Sequence, residues 1–238
     1  MKIAGATALV TGANRGLGLA FARALVERGA ARVYAGARDP GSVTLSEVVP
    51  IKLDVTKDEE VAAAARQASD VTLLINNAGI AKFGSFLADG AIEDTREHFE
   101  VNLVGPLRMA RAFAPVLAKN GGGAIVNVLS VASWINSPLL ATYGASKAAA
   151  WAFTNGLRIE LEGQGTQVLG LHAGFIDTDM TREITTPKSS PETIVKETLD
   201  ALERGDRQVL ADEVTRHVYR GLTAEQPVYL SAFSRPPA

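Results

Sequence analysis

Residues 6–30, ATALVTGANRGLGLAFARALVERGA, decide the fold because an apolar strand, a glycine-rich turn and a helix follow one another directly. The turn, TGANRGLG at residues 11–18, resembles turns that hold the pyrophosphate of a dinucleotide: glycine permits close approach of backbone amides, and the helix N-terminus favours negative charge. Its spacing is G-x-x-x-G-x-G, not the better-known G-x-G-x-x-G, and a turn without a ligand is the alternative. The residues predicted to contact such a ligand are Gly12, Asn14, Arg15, Gly16, Leu17 and Gly18.

The same alternation of short apolar runs and alanine-rich segments continues along the chain. The runs are continuously apolar, as parallel strands covered on both faces require, so we predict one doubly wound, Rossmann-type α/β sheet of about seven strands with helices on both faces. Strands are predicted at 6–11, 32–36, 49–54, 71–75, 123–130, 166–172 and 207–210, and helices at 16–29, 57–69, 91–118, 142–162 and 191–204.

The composition of the chain limits its organisation and partners. The 238 residues are 47% hydrophobic and fit a single domain, 1–238, with a variable loop at about 180–192 and a loose tail at about 231–238. A net charge of −2 without runs of like charge argues against nucleic acid or an acidic membrane as partner. The absence of cysteine fits a cytoplasmic location, and the N-terminus does not have the pattern of a signal peptide. His98, His172 and His217 lack metal-ligand spacing, so we predict no metal site and core or surface roles for them.

Specificity for the adenosine ribose of a dinucleotide is decided at the end of the second strand. If that strand ends at Gly36, the next positions hold Ala37 and Arg38, and Arg38 with Arg15 can clamp the 2′-phosphate of NADP. If the strand runs two residues further, Asp39 can bind the ribose diol of NAD instead. We therefore favour NADP(H) over NAD(H).

A second informative stretch is LLATYGASKAAA, residues 139–150, in which Tyr143 and Lys147 stand four positions apart. On a helix these two side chains lie on one face. The surrounding run from Asn120 to Ser146 contains no charged residue but several serines, asparagines and glycines. Such an interior, uncharged but rich in hydrogen-bonding groups, is typical of a substrate cavity.

With these motifs in place, the chain resembles the short-chain dehydrogenase/reductase family from about residue 5 to 180. Seven motifs occur in the family's order: TGANRGLG at 11, LDV at 53, NNAG at 76, VNLVG at 101, NVLS ending at Ser130, YGASK at 143 and AGFIDT at 173. The resemblance implies Asn102, Ser130, Tyr143 and Lys147 as catalytic residues, with Ser133 a competitor at the wrong offset for the serine. It implies that the further cofactor contacts are Asp54 and Val55 at the adenine, Asn77, Ala78 and Gly79 along the cleft, and Ile176 and Thr178 at the carboxamide. The family usually has proline where this chain has Ala173.

The chemistry of such a site follows from its residues. Hydride delivery to a carbonyl leaves an alkoxide that needs a proton, and a phenol with a pKa of about 10 is a poor partner near neutrality. An ammonium about 4–5 Å away is worth roughly 3–4 kcal/mol, so we expect Lys147 to lower the pKa of Tyr143 by about 2 to 3 units. Ser130 then hydrogen-bonds the same substrate oxygen, and Asn102 by resemblance places a water that relays protons to Lys147.

Substrate, assembly and competing functions are further expectations. The residues that flank the catalytic positions predict an apolar cavity wall and a small hydrophobic ketone, aldehyde or alcohol as substrate: Leu129, Trp134, Leu139, Leu140, Phe175 and Met180. By resemblance, the helices at 91–118 and 142–162 pair two copies, which predicts a homodimer or homotetramer. The leading function is an NADP-dependent carbonyl reductase or alcohol dehydrogenase. The alternatives are an NADP(H)-sensing regulator without turnover, and an epimerase or dehydratase, for which the chain after Thr178 is short.

Overall fold

A computed structural model describes residues 1–231 of the chain. Within that part, strands and helices alternate along the sequence. The strands are β1 (Thr7–Thr11), β2 (Arg32–Ala37), β3 (Val49–Lys52), β4 (Leu73–Asn76), β5 (Ala124–Val128), β6 (Gln167–His172) and β7 (Gln208–Leu210). The helices are α1 (Gly16–Glu27), α2 (Asp58–Gln67), α3 (Ala91–Phe99), α4 (Gly105–Lys119), α5 (Ala141–Glu160), α6 (Pro191–Arg204), α7 (Glu213–Gly221) and α8 (Val228–Ser231).

The strands form one fully parallel sheet in the order β3-β2-β1-β4-β5-β6-β7. Because the order reverses between β1 and β4, the loops that follow these two strands turn to opposite faces of the sheet. They leave a crevice at the carboxyl edge, which is where doubly wound sheets bind ligands. The predicted fold class is therefore confirmed, including the seven strands.

Helices cover both faces of the sheet and bury a separate apolar core on each. On one face, Phe21 and Leu25 of α1 pack with Ile194 and Leu199 of α6 against the sheet. On the other face, α2, α4 and α5 contribute a second set that includes Val61, Phe113 and Leu157. Strands buried on both sides must be apolar at every position, which explains the continuous apolar runs in the sequence.

The predicted elements differ from the structure in three places. The single helix expected at 91–118 is divided into α3 and α4 by a π-helical turn at Glu100–Val104. The second strand ends at Ala37, one residue later than the first of the two alternatives. Helices α7 and α8 were not predicted, and all but the first residue of the expected loose tail lies outside the described residues. No helix in residues 1–231 has the length and apolarity that a membrane crossing requires.

Gly123 fixes the start of β5 and provides a test of the sheet. Its φ is +62°, and a Cβ there would lie 2.2 Å from the Thr72 carbonyl oxygen beside β4. We expect Gly123→Ala to lower the free energy of unfolding by about 2–4 kcal/mol, measured by urea denaturation, because both the backbone and the packing must shift. Gly163→Ala is the matched control, since a Cβ there meets nothing within 4 Å. Equal stability of the two variants would contradict this account of the sheet.

Candidate active site

Four loops meet at the carboxyl edge of the central strands and build one site. They are the turn after β1 (12–15) and the loops after β4 (77–90), β5 (129–140) and β6 (173–190). The predicted site residues come from these loops, from the ends of β2 and β3, from the first residues of α1, and from two helical segments that pack beneath. The sheet therefore assembles residues that are more than a hundred positions apart in sequence.

The turn after β1 is held in shape by close packing around its glycines. Gly12 and Gly16 have φ values of +66° and +53°, which favour glycine. A Cβ at Gly18 would lie 2.1 Å from the Gly12 carbonyl oxygen, so α1 can begin here only without a side chain. Asn77 Nδ2 donates to the carbonyl oxygens of Thr11 at 2.9 Å and Gly12 at 3.3 Å. Asn77 thus supports the turn from behind, while Leu17 is buried in the core beneath it.

The end of β2 separates the two candidate residues for the ribose. Arg38 is the first residue after the strand and is exposed. Asp39, the other candidate, is exposed, and its Oδ1 accepts a hydrogen bond of 2.9 Å from Gly41 N–H that caps a short 3₁₀ turn.

Arg38 also acts on Asp54 at the end of β3. Burial raises the pKa of Asp54, but hydrogen bonds from Thr56 and the positive charges of Arg38 and Lys57 outweigh it, so the pKa lies below its usual value. Val55, the other predicted adenine contact, is buried and faces Gly105, where a Cβ would come within 2.8 Å of its side chain. Val55 therefore packs α4 against the site in addition to any contact with a ligand.

Ser130 and Tyr143 lie together inside the site. Ser130 follows β5 and caps a 3₁₀ turn, where its Oγ accepts from Ala132 N–H at 3.1 Å. Its hydroxyl donates to the Ala173 carbonyl oxygen at 3.5 Å. Ser130 also lies close enough to the Tyr143 phenol to lower the pKa of that phenol. Ser133, the competing serine, accepts from the Ser130 backbone N–H and closes the same capping box. The structure thus places Ser130 against the phenol and gives Ser133 a capping role.

Lys147 lies one helical turn after Tyr143, as the spacing predicts, with its side chain buried. Its Nζ donates to the Val128 carbonyl oxygen at 2.8 Å and lies 5.7 Å from the centre of the Tyr143 ring. Burial raises the pKa of Tyr143 to about 12, which the Ser130 side chain only partly opposes, and burial lowers the pKa of Lys147 to about 8. The expectation that Lys147 lowers the pKa of Tyr143 is therefore wrong, because that pKa lies above its usual value. Desolvation by burial is the largest influence on the phenol.

Asn102 stands in the π-helical turn between α3 and α4. Its Oδ1 accepts from Ile80 N–H at 2.9 Å, and its Nδ2 donates to the Ile80 carbonyl oxygen at 3.0 Å and to Ser146 Oγ at 3.0 Å. A Cβ at Gly79 would lie 3.1 Å from Asn102 Oδ1 and 3.8 Å from Lys147 Nζ, so Gly79 lies between these two side chains. The structure therefore joins Asn102, the loop after β4 and the catalytic helix. π-Helical turns recur at functional sites because they redirect one side chain in this way.

The loop after β6 closes the site on the side of the phosphate turn. Ile176 and Thr178, the predicted carboxamide contacts, form a capped turn in which Thr181 Oγ1 donates to the Ile176 carbonyl oxygen at 2.5 Å. The Thr178 methyl group lies against Gly16, where a Cβ would come within 3.4 Å. Arg15 faces this loop, with its guanidinium 3.8 Å from Asp179. A cavity of about 430 Å³ opens here, lined by Arg15, Phe83, Asp179, Met180, Arg182 and Glu183.

The predicted apolar wall is only partly present. Met180 lines the cavity, but most of its neighbours there are charged. Trp134 stacks on His172 with ring centres 3.9 Å apart and contacts the rings of Trp151 and Tyr219. It therefore belongs to an aromatic cluster between β6, α5 and α7. Its place in the sequence beside Ser130 could not show this, because α7 was not predicted.

Comparison with known proteins identifies the family. The sequence model for short chain dehydrogenases matches residues 6–189, which is more than half of the chain. The chain belongs to the short-chain dehydrogenase/reductase family. It is 33% identical over 193 residues to 3-oxoacyl-[acyl-carrier-protein] reductase FabG of Vibrio harveyi, covering 77% of this chain and 79% of that one. Among the relatives compared, the matched part spans from 43% to 81% of their lengths.

Two solved structures show the same fold. A short chain dehydrogenase from Burkholderia cenocepacia J2315, in complex with NADP, is 42% identical with a TM-score of 0.94, covering 99% of this chain and 100% of that one. A short chain dehydrogenase/reductase from Burkholderia phymatum, in complex with NAD, has a TM-score of 0.86 and 23% identity, covering 100% and 99%. The protein is thus an NAD(P)-dependent oxidoreductase of the short-chain dehydrogenase/reductase family, acting on CH–OH or C=O groups.

The geometry of the phosphate turn fits the cofactor that the family uses. The turn has glycine at positions where a Cβ would collide with backbone, and the N-terminus of α1 opens toward the crevice. Main-chain amides can therefore approach a pyrophosphate closely, and the helix dipole favours its charge. These features would allow the turn to hold such a cofactor by its phosphates.

Two buried histidines of this short-chain dehydrogenase contact the site, although the sequence indicated only core or surface roles for them. His172 ends β6 and lies 3.1 Å, through Nδ1, from the Ser130 carbonyl oxygen. His98 lies 3.0 Å, through Nδ1, from Thr142 Oγ1, next to Tyr143 in sequence. For His172 a signal was available, because it follows a predicted parallel strand at the edge where sites form. His98 gave no such signal, since it lies in the middle of the predicted helix 91–118.

The buried imidazole of His172 predicts that the protein loses stability in acid. Burial lowers the pKa of His172 to about 4, below the value of about 6.5 for an unfolded chain. The unfolded state therefore binds more protons between these values, and stability is lost as pH falls through that window. From His172 alone we expect the free energy of unfolding to fall by about 2 kcal/mol between pH 7 and pH 5.

Urea denaturation at the two pH values measures this loss, with His172→Phe as the comparison. Phenylalanine can retain the stacking on Trp134 but does not titrate. The variant should be less stable at pH 7, because the Ser130 carbonyl loses a partner, but its pH dependence should be weaker by the stated amount, so the difference from the wild type narrows or reverses at pH 5. An identical pH dependence in both proteins would show that His172 is already protonated or exposed in the folded state.

Proposed function

We propose that the protein is an NADPH-dependent reductase of hydrophobic ketones or aldehydes, with Tyr143 as the group that protonates the product oxygen. One observation carries the proposal: the Ser130 and Tyr143 side chains lie beside each other and beside the buried Lys147, at the carboxyl edge of the sheet. When bound, the nicotinamide supplies a hydride to the carbonyl carbon. The protein must then deliver one proton to the developing alkoxide.

Tyr143 is suited to this step in the reductive direction. With a pKa of about 12 it is fully protonated near neutrality, and it is still a stronger acid than an aliphatic alcohol. Oxidation of an alcohol would instead require the phenolate, which is rare at neutral pH when burial opposes it. The protonation state of the site before catalysis therefore favours reduction.

Ser130 and Lys147 assist Tyr143 in different ways. Ser130 lies beside the phenol and can hydrogen-bond the substrate oxygen, which would position the carbonyl and stabilise its developing charge. In its protonated form, Lys147 places a positive charge 5.7 Å from the ring of Tyr143, where phenolate forms as the proton leaves. Because both groups are buried, the attraction between ammonium and phenolate is stronger than in water. Asn102 fixes the loop after β4 beside Lys147.

The residues at the end of β2 support NADP over NAD. Arg38 is exposed directly after the strand, whereas the Asp39 carboxylate is occupied by Gly41 N–H. A guanidinium at this position binds a 2′-phosphate, and a carboxylate would repel it. The neighbour from Burkholderia cenocepacia, at 42% identity, was solved with NADP, which agrees with this preference. In this proposal Arg15 leaves Asp179 to join Arg38 at the phosphate.

The substrate proposal rests on the contrast between the inside and the mouth of the site. The segment from Asn120 to Ser146, which supplies Ser130 and Tyr143, carries no charge. The mouth beside the loop after β6 holds two arginines and two acidic residues that balance one another. A hydrophobic carbonyl compound without a net charge fits this arrangement, since it leaves no buried charge unpaired.

The proposal also includes a homodimer, in which two copies of the chain pack against each other through α4 and α5. A groove between these helices is lined by apolar residues that include Leu107, Phe153 and Leu161. Leu107 is 39% exposed and Ile159 of α5 is 75% exposed. A second copy would cover these side chains and remove their apolar surface from water.

Replacing Tyr143 tests the proposed role directly. We expect Tyr143→Phe to lower kcat for the NADPH-dependent reduction of acetophenone and cyclohexanone by about a hundred- to ten-thousandfold, the usual contribution of a general acid. The dissociation constant of NADPH should hardly change, because the phenol oxygen is not needed to hold the phosphates. Fluorescence titration of NADPH and its oxidation at 340 nm provide the two measurements.

The outcomes of this experiment separate the candidate functions. Loss of turnover with retained binding supports the reductase. Tight NADPH binding by the wild type without turnover of these and related ketones or aldehydes would contradict it and favour a nucleotide-sensing regulator. Full activity of Tyr143→Phe would show that another group donates the proton.

A substitution at Arg38 tests the cofactor preference. Loss of one charge-assisted hydrogen bond to a phosphate should weaken NADPH binding about ten- to a hundredfold in Arg38→Ala and leave NADH binding unchanged. Arg66→Ala is the matched control, since Arg66 is an exposed arginine in the last turn of α2, away from the carboxyl edge. Parallel weakening of both cofactors in Arg38→Ala would contradict a 2′-phosphate contact.

A further inference from the structure

His98 is a buried histidine that uses both of its ring nitrogens. Its Nε2 accepts a hydrogen bond of 2.9 Å from Lys82 N–H, and its Nδ1 lies 3.0 Å from Thr142 Oγ1. A backbone amide can only donate, so Nε2 carries no proton. The neutral ring must then carry its proton on Nδ1 and donate it to the threonine hydroxyl.

The ring of His98 also contacts the catalytic tyrosine. Its centre lies 6.0 Å from that of Tyr143, and the two planes are inclined at 72°, an edge-to-face arrangement. Thr142, which accepts the hydrogen bond, is the residue before Tyr143 and stands in the first turn of α5. His98 therefore touches the backbone turn that carries the tyrosine and the tyrosine ring itself.

The opposite side of His98 holds the loop after β4. Lys82 is fixed there twice, because its N–H bonds to His98 and its Nζ pairs with Asp94 at 2.8 Å and Glu97 at 2.6 Å. The same loop is bonded to Asn102 through Ile80. His98 thus connects the loop that passes Lys147 with the start of the catalytic helix.

The charged groups around His98 do not require a charged imidazole. Lys82, Asp94 and Glu97 already pair with one another, and Thr142 and Tyr143 are uncharged. An imidazolium would set a second N–H against Lys82 N–H and break that hydrogen bond. Burial, the largest cause, also lowers the pKa of His98 below its usual value. The ring is therefore a fixed neutral connector near neutral pH.

We propose that His98 is a positioning residue for Tyr143: its hydrogen bond to Thr142 and its edge-to-face contact fix the phenol relative to the loop after β4. The inference rests on the proposed role of Tyr143 as proton donor. It does not make His98 a proton donor itself, because its Nδ1 proton is committed to Thr142. Misplacing a catalytic group by a fraction of an ångström slows the chemical step but leaves cofactor binding intact.

Two substitutions remove the connection from opposite ends. Thr142→Val removes the hydroxyl and keeps the shape of the side chain. His98→Gln can still accept from Lys82 N–H but lacks the Nδ1 donor and the ring. With NADPH and acetophenone or cyclohexanone, we expect each to lower kcat about tenfold and the double variant to be no slower, since both break one connection. KM and the NADPH dissociation constant should stay within about twofold of the wild type.

Rescue and control variants separate positioning from loss of stability. Thr142→Ser retains the hydroxyl and should restore most of kcat. His217→Gln changes an exposed histidine of α7 and should behave as the wild type. Thermal denaturation of every variant reports whether it is folded at the assay temperature.

Each result decides the inference. Unchanged kcat in folded Thr142→Val overturns it, as does a loss that appears equally in KM or in NADPH binding. If Thr142→Val does not fold, His98→Gln decides, and failure of both to fold would show a purely structural pair. A Tyr143→Phe variant as active as the wild type, or a wild type that reduces neither these two ketones nor related ketones and aldehydes, would instead refute the proposed function, and the inference with it. If Tyr143→Phe loses activity while Thr142→Val and His98→Gln keep theirs, only the positioning role is refuted.

Discussion

The site depends on one constraint: the ammonium of Lys147 is buried without a carboxylate partner among the described residues. Its one hydrogen bond goes to the Val128 carbonyl oxygen. Lowering a lysine pKa from its ordinary value to about 8 corresponds to about 3 kcal/mol of lost solvation. Energetically unfavourable features of this kind cluster at functional sites. Here the neighbouring group that can become negative is the Tyr143 phenol. The buried ammonium can therefore attract a phenolate as it forms.

The fold holds this unfavourable arrangement in place by surrounding it with rigid elements. The parallel sheet brings the ends of β4, β5 and β6 to one edge, and α5 crosses beneath them with Tyr143 and Lys147 on the face toward the sheet. Hydrogen bonds then fix each neighbour: Asn102 on the loop after β4, and His172 on the Ser130 turn. The candidate catalytic groups are thus held in place by side chains that need not touch a substrate.

The sequence was sufficient for the fold, and the residues it named for the candidate site come together at one edge of the sheet, because both predictions depend on local patterns. Continuous apolar runs predict buried parallel strands, and the glycine spacing predicts the turn after β1. The π-helical turn at Glu100–Val104 could not be predicted, since it is stabilised by contacts between Asn102 and Ile80 across the fold. For the same reason the sequence gives no sign that Trp134 packs under α7 or that His98 reaches Thr142.

The error in the expected tyrosine pKa shows how burial and charge compete. The sequence fixes the spacing of Tyr143 and Lys147, from which an attraction can be calculated, but it does not show how far both groups are removed from water. Desolvation acts on each group by itself, raising the pKa of the phenol and lowering that of the ammonium. The attraction operates fully only once the phenol has lost its proton and the lysine has kept its own. The pair therefore stabilises the charged state formed after proton donation more than the state before it. That difference is what a catalyst of carbonyl reduction requires, since only interactions stronger in the transition state than in the ground state accelerate a reaction.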